Sequence, residues 1–373
     1  MKDKIFAKEI VNRGRQKEMD MAKAVCAFLL TFVHVIIECT PEEEWVSGIP
    51  FLFDSVIGGA YSAPMFMFCM GACMLYTKKN SAKDFAKRGV VLCIMNYVLN
   101  IFRYLIPYLI GYGITGDYER YIEILPYKVF GNDIFMFAGL SMLVMALFMK
   151  LACADWLILL IAVIGSVIAS VISGIDFGNP VVNLILKSFI GTEDAMGTIG
   201  YDYPLLHWML FPVIGFLFGK KLLYVKNKDT FYKNIFIFIG IPSVIIMVYQ
   251  IEHALGIFGE GQNCFLHMNT LDVLLCCGLN IGLLPIYHLF MKKIPKFLCK
   301  VIKGVSSNLY KIYFIHWILV VIVTELIMPI GFGTAYFPVG SLLCICTIVS
   351  VCAIVLAQFW SQFYERYMGG KKR

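Results

Sequence analysis

The chain has 373 residues, of which 60% are hydrophobic and only 15% charged, and its mean hydropathy is +0.77. Soluble domains run about 45–50% apolar and about 25% charged, which excludes a water-soluble globular fold of this composition. The net charge of +7 calls for no nucleic acid, because the basic residues cluster in short loops that suit anionic lipid headgroups.

Apolar runs separated by polar breaks predict ten membrane spans, at about 20–38, 56–76, 89–110, 133–150, 154–174, 205–224, 234–252, 270–291, 309–330 and 338–362. The expected fold is therefore an all-α integral membrane bundle of about ten helices. The first run follows a charged leader, residues 1–19, and no small-residue cleavage site comes after it. It reads as a retained helix rather than a signal peptide. Residues 20–362 form one membrane domain without a polar linker, and 363–373 form a basic tail. The leader through Lys23, the loops 77–88, 220–233 and 292–311, Lys150 and the tail hold 28 of the 32 Lys and Arg residues. Of the 25 Asp and Glu residues, 17 lie on the other side or within spans. The positive-inside rule then places both termini in the cytoplasm, and the expected location is the cell membrane.

Most of the 13 cysteines lie in apolar runs, where cysteine behaves as a small hydrophobe. Cys344 and Cys346 have no His or carboxylate companion, so no metal site is expected. Cys39 and Cys264 fall in expected outer loops, and their pairing is left open.

Ionisable groups inside a span cost at least about 2.5–3.5 kcal/mol each on insertion, which makes them functional candidates. The first span carries Asp20, Lys23, His34 and Glu38. Lys23 and His34, eleven residues apart, share a helix face and are separated by about 16 Å along its axis. Glu38 lies one turn beyond His34. The stripe thus joins a cation near the cytoplasmic surface to an imidazole and a carboxylate farther out. It suits an anionic donor held from the cytoplasm and a proton moved deeper in; a snorkelling lysine and a histidine bonded inside the bundle are the plainer alternative. In the third span Asn96, Asn100 and Arg103 share a face, and Arg103 needs a carboxylate such as Asp133, a phosphate or water. The ninth span contains Asn308, Tyr310, Tyr313 and His316, followed by Trp317, and His207 and Trp208 open the sixth. His316 is read as part of a polar pathway or as a packed histidine. His207 is a weaker candidate, because Trp208 fits an interfacial aromatic belt. No GxSxG elbow, phosphate-binding Gly-rich loop or HExxH is present, which argues against a serine hydrolase, a nucleotide-driven pump or a zinc protease.

The stretch Arg15 to His34 (RQKEMDMAKAVCAFLLTFVH) resembles the first helix of the transmembrane acyltransferase superfamily, in which an Asp, a basic residue and a His recur in order; here they are Asp20, Lys23 and His34. Lys replaces the more usual Arg, which keeps the charge and loses the planar fork. Ala63 to Tyr76 (APMFMFCMGACMLY), with the basic loop and Arg88 after it, is similar to the superfamily's Pro/Phe-rich second helix. Asn132 to Leu143 (NDIFMFAGLSML) and Tyr203 to Lys220 (YPLLHWMLFPVIGFLFGK) resemble the branch containing heparan-alpha-glucosaminide N-acetyltransferase. Gly304 to His316 (GVSSNLYKIYFIH) resembles the late Ser/Asn–Leu…Tyr–x–x–His element. The resemblance covers about residues 13–320 and does not separate this branch from the acyltransferase-three family, whose members O-acylate cell-surface sugars.

The resemblance implies an enzyme that takes an acyl group, typically acetyl, from cytoplasmic acyl-CoA and delivers it to a sugar or glycan acceptor on the opposite face. In that reading His34 is the base, oriented by Glu38, with His316 as a second polar contact. Lys23, Arg88, Arg103 and Asn100 are donor-side residues, and Asn308, Asn100 and Tyr313 are candidate oxyanion donors. O- versus N-transfer, acyl chain length, one-step versus acyl-enzyme chemistry and the acceptor stay open, and a homodimer is compatible. Two competing classes are a transporter or flippase, which inverted repeats would favour, and a membrane sensor, which would call for a soluble domain. Neither feature is found.

Overall fold

The computed structural model describes residues 2–45, 47–192, 203–259 and 268–367. Among these residues ten helical runs are long and apolar enough to cross a bilayer. They are Lys17–Cys39, Gly48–Tyr76, Ala82–Thr115, Glu119–Lys150, Asp155–Ile172, Leu205–Leu222, Lys228–Phe258, Thr270–Lys293, Leu309–Phe332 and Val339–Tyr364. Each expected span has its counterpart. Large apolar side chains such as Val171, Phe238 and Ile245 stand 77%, 74% and 63% exposed, an arrangement that water penalises and lipid accepts. Cys264 lies outside the described residues.

Several helices begin earlier than hydropathy predicts. A hydropathy window senses only the hydrocarbon segment, whereas a helix continues into the polar zone until something caps it. Ser81 and Asp84 do so for Ala82–Asn100 through reciprocal bonds, Ser81 N–H to Asp84 Oδ2 (3.3 Å) and Asp84 N–H to Ser81 Oγ (3.2 Å). Asn227 accepts from Thr230 N–H (3.1 Å) at the start of Lys228–Ile235. Two stretches expected as loops hold helices too short to register as spans. Pro180–Ile190 is capped by Asn179, and Lys296–Ser307 lies between the eighth and ninth spans.

The contacts divide the chain into two compact units. The first comprises Met1–Met19, Gly59–Asn96 and Asn132–Phe290. Its leader is docked along the loop after the sixth span. Ala7 N–H donates to Tyr224 O (2.8 Å), Asn12 N–H to Leu223 O (3.0 Å) and Lys226 N–H to Ile5 O (2.9 Å). Buried Glu18 accepts from Lys228 Nζ (2.7 Å) and Tyr232 OH (2.8 Å), so the charge that enters the bundle here is paired. Helices Ala63–Cys73 and Leu210–Leu222 cross at backbone contact. A Cβ on Gly71 would fall 2.0 Å from Pro212 O, one on Gly215 2.1 Å from Phe68 O, and one on Gly219 2.3 Å from Ala72 O. Lipid tails are as apolar as leucine, so helices in a bilayer gain little from hiding side chains from each other. Small residues four apart let the backbones approach and supply dispersion contacts instead.

The second unit comprises Asp20–Gly58, Tyr97–Gly131 and Met291–Arg373. Ala27, Val305, Ile312, Ala353 and Ala357 form a core cluster of mainly small side chains that draws the first, ninth and tenth spans together. Ser350 Oγ donates to Phe28 O (3.4 Å), and Phe337 N–H donates to Cys39 O (3.1 Å). The Cys39 thiol is buried beside Met328 Sδ at 3.5 Å.

The backbone crossing predicts a sharp contrast between two alanine substitutions. Gly71→Ala should destabilise the detergent-solubilised protein by about 1–3 kcal/mol, through overpacking against a backbone that cannot yield. Gly113→Ala, with nothing within 4 Å of the added carbon, should be neutral or slightly stabilising. Thermal unfolding of the two variants checks this, and equal midpoints would refute the packing assignment.

Candidate active site

Among the described residues five helices contain a π-helical stretch: Leu52–Ser62, Ile101–Leu105, Glu119–Glu123, Phe236–Gly240 and Ile322–Ile327. Each is followed within a few residues by a proline, namely Pro64, Pro107, Pro126, Pro242 and Pro329. Proline lacks an N–H, and its ring collides with the carbonyl four residues back. Widening the turn relieves the collision and gives the freed carbonyls other donors. Pro285 sits within Thr270–Lys293 without such a widening, and nothing in the structure explains the difference. Three of the widened turns lie in the second unit, and they carry Arg103, Arg120 and Glu325. The prolines therefore bear on the register of these three charged side chains.

His34 of the first span packs against Trp317 at a tilt, with ring centroids 3.9 Å apart and an interplanar angle of 35°. The His316 ring is 5.5 Å from His34 and 5.0 Å from Tyr313. Trp317 is fixed from two sides. Its Nε1–H donates to Tyr313 OH (2.7 Å), and the Arg103 guanidinium carbon lies 4.6 Å from the indole centroid. The same guanidinium is 4.5 Å from the Tyr104 ring, so it is clasped between two aromatic side chains while only 4% exposed. A cation held over desolvated rings is worth up to about 2 kcal/mol. Arg103 Nε–H also donates to Asn100 Oδ1 (3.1 Å). Asn100 in turn donates to Val129 O (2.9 Å) and Gly131 O (2.8 Å). Its amide thereby links Arg103 to the end of the Leu125–Phe130 helix.

His34 Nε2 is enclosed and has no hydrogen-bond partner among the described residues. His316 Nδ1 sits 3.2 Å from Ile312 O, a contact that requires the proton on Nδ1 and leaves Nε2 as the basic nitrogen of the neutral ring. Glu38 makes no hydrogen bond to His34. Its charged neighbours are Lys128, Glu325 and Arg103. The tilted Trp317 indole packs nearer to the imidazole than the His316 ring does.

Beyond this group Arg120 Nη2 donates to Glu325 Oε2 (3.0 Å), and Tyr121 OH donates to the Glu325 carbonyl (2.8 Å). Tyr104, Tyr108 and Tyr121 form an edge-to-face series at 5.9 and 5.7 Å. At the other end of the first span Lys23 Nζ is 3.5 Å from Asp20 Oδ1, which also accepts from Ser306 Oγ (2.7 Å). Asn308 is engaged elsewhere: it donates to Gly304 O (3.1 Å) and accepts from Ser361 Oγ.

Three expected residues belong to the first unit. Arg88 lies over the Phe85 ring at 5.6 Å. Asp133 accepts from Ile134 N–H as a helix cap. Buried His207 is held through Nδ1 to Met268 O (3.0 Å). Sequence reasoning brought His34, His316, Tyr313 and Arg103 forward and passed over Trp317, Tyr104, Lys128, Arg120 and Glu325. Glu325 was findable, as the lone acidic residue in an otherwise apolar span. The aromatic partners carried no comparable signal, since rings are common throughout the spans.

The Arg120–Glu325 pair is partly exposed at its side chains, 33% and 18%. A double-mutant cycle with Arg120→Ala and Glu325→Ala, read from unfolding midpoints, should give a coupling of about 1 kcal/mol. Additive effects would show that the pair is incidental.

A comparison with curated proteins gives no match. A family model described as an acyltransferase domain, that of the acyltransferase-three family, matches residues 16–357 and so takes in the first span, the aromatic–imidazole group and nearly all of both units. It does not single out the heparan-alpha-glucosaminide branch. With that extent of match, the chain belongs to the acyltransferase-three family of multi-pass membrane acyltransferases.

Proposed function

We propose that this protein transfers an acyl group, acetyl in the simplest case, from cytoplasmic acyl-CoA to a hydroxyl or amine of a sugar or glycan at the outer face of the cell membrane, with both termini cytoplasmic. The observation that carries the reading is His34, packed against Trp317 beside His316 and Arg103, with an enclosed Nε2 that has no hydrogen-bond partner among the described residues.

Acyl transfer needs a base for the acceptor proton and positive charge for the oxyanion that forms as the thioester carbonyl is attacked. His34 Nε2 takes the proton as the acceptor oxygen or nitrogen bonds to the acyl carbon. The C–S bond then breaks, and the proton passes to the departing CoA sulfur. Arg103 is the cation nearest this ring system and supports the oxyanion, with Tyr313 holding Trp317 in place. Glu38, Lys128 and Glu325 form the polar surroundings farther along the first span and face the acceptor. Lys23 lies about 16 Å from His34 by helical rise, a distance that a long flexible arm such as the pantetheine of CoA is suited to cover. Lys23 meets the donor's phosphates as a point charge.

Purified protein in detergent tests the division of labour. His34→Ala should bind acetyl-CoA like wild type and lose transfer or hydrolysis by about 10²–10⁴-fold, the range of a general base. Lys23→Ala should weaken acetyl-CoA binding while leaving turnover at saturation largely intact. A wild-type protein with no affinity for any acyl-CoA would remove the donor from the proposal. If Trp317 orients the base, Trp317→Ala should lower kcat far more than Trp317→Phe, with little change in KM for either.

A further inference from the structure

The helix Lys296–Ser307 (KFLCKVIKGVSS) has twelve residues, too few to cross a bilayer, and its two faces differ in character. At 100° per residue, Lys296, Lys300, Lys303 and Ser307 fall on one side, and all four are exposed. Ile302, Val305 and Ser306 are buried on the other, against the second unit. Between them, beside the lysine row, stand Phe297 at 76% and Val301 at 37% exposure, and Leu298, in the first turn of the apolar side, is 41% exposed. Lys292 and Lys293, also exposed, extend the basic run at the end of the preceding span. An aqueous helix would gain nothing by exposing a phenylalanine and two aliphatic residues beside its lysines. At a bilayer surface the order is favourable, because the apolar edge enters the acyl boundary while the ammonium groups remain at the headgroups.

The same helix is tied to the first span. Ser306 Oγ donates to Asp20 Oδ1 at 2.7 Å, and Asp20 lies 3.5 Å from Lys23 Nζ. Whatever fixes the depth of this helix therefore also fixes the depth of the Asp20–Lys23 end.

We infer that Lys296–Ser307 is an interfacial helix that binds anionic lipid headgroups of the surrounding leaflet through Lys296, Lys300 and Lys303 and seats Phe297 and Val301 among the acyl chains, anchoring the Asp20–Lys23 end of the first span at the membrane surface. The charge of the lysine row and the adjoining apolar edge select a lipid surface over a soluble anion, which would have no use for the exposed Phe297. The inference does not depend on the acyl-transfer reading, and its test uses no activity.

The full chain is solubilised in detergent and titrated with phosphatidylglycerol and with phosphatidylcholine, the bound lipid being counted by native mass spectrometry. Wild type should prefer phosphatidylglycerol. The triple variant Lys296→Gln, Lys300→Gln, Lys303→Gln should lose at least tenfold in that affinity, given about a fivefold contribution from each cation near an anionic surface. A control carrying Lys78→Gln, Lys79→Gln and Lys83→Gln, in another basic loop, should change it little. No wild-type preference, or equal losses in both triple variants, would overturn the proposal, the second by reducing it to a diffuse charge effect. Independently, Phe297→Trp in nanodiscs should show fluorescence, above the wild-type background, that is quenched by phosphatidylcholine brominated on its acyl chains. Quenching of that added signal by aqueous iodide instead would place the residue in water and end the interfacial assignment.

Discussion

Within hydrocarbon no water satisfies a backbone N–H or C=O, so each spanning segment must close its hydrogen bonds internally. Proline breaks that closure, and the five π-helical stretches preceding Pro64, Pro107, Pro126, Pro242 and Pro329 are where the backbone restores it. The adjustment changes the angular position of every residue on the affected turn. Arg103, Arg120 and Glu325 all sit on such turns. A regular α-helix would place those side chains on other faces, so the polar interior of the second unit follows from how the backbone accommodates proline.

Once Arg103 is directed inward, its charge has to be met without much water. Two aromatic faces, Tyr104 and Trp317, and the Asn100 carbonyl do this, and Asn100 is itself held by Val129 O and Gly131 O. The indole thereby becomes a shared surface, with a guanidinium near it, a phenol on its N–H and the His34 imidazole packed against it at a tilt. Substituting any member alters the environment of the others, because a low-dielectric interior strengthens each electrostatic contact and raises the cost of leaving one unmade. The two ends of the first span are held differently. Asp20, paired with Lys23, accepts from Ser306 of the amphipathic helix, whereas Glu38 has Lys128, Glu325 and Arg103 as charged neighbours.

The first unit uses another means of cohesion. Its helices approach at Gly71, Gly215 and Gly219, and again where Gly89 faces Gly139, so that backbones rather than long side chains form the contact. Its leader, docked on the loop that follows the sixth span, adds hydrogen bonds at the helix ends. The polar groups here are largely engaged with backbone or with each other, as Glu18 is with Lys228 and Tyr232.

Composition and run length were enough to determine an all-α chain with ten spans, because a bilayer demands about 20 apolar residues per crossing and no soluble core has that need. Helical period alone placed Lys23 and His34 on one face, and the rarity of charge in a span marked Arg103 and His316. The short helices Pro180–Ile190 and Lys296–Ser307 stayed hidden because hydropathy measures length in lipid, which neither has. Only the tertiary structure decided that Trp317 joins His34 to Arg103, that Asn100 bonds to Arg103 and Asn308 to Ser361, and that Glu38 has Lys128 and Glu325 as charged neighbours. Those pairings join helices far apart in the chain, and their register depends on π-helical turns that shift faces in a way no fixed 3.6-residue period describes.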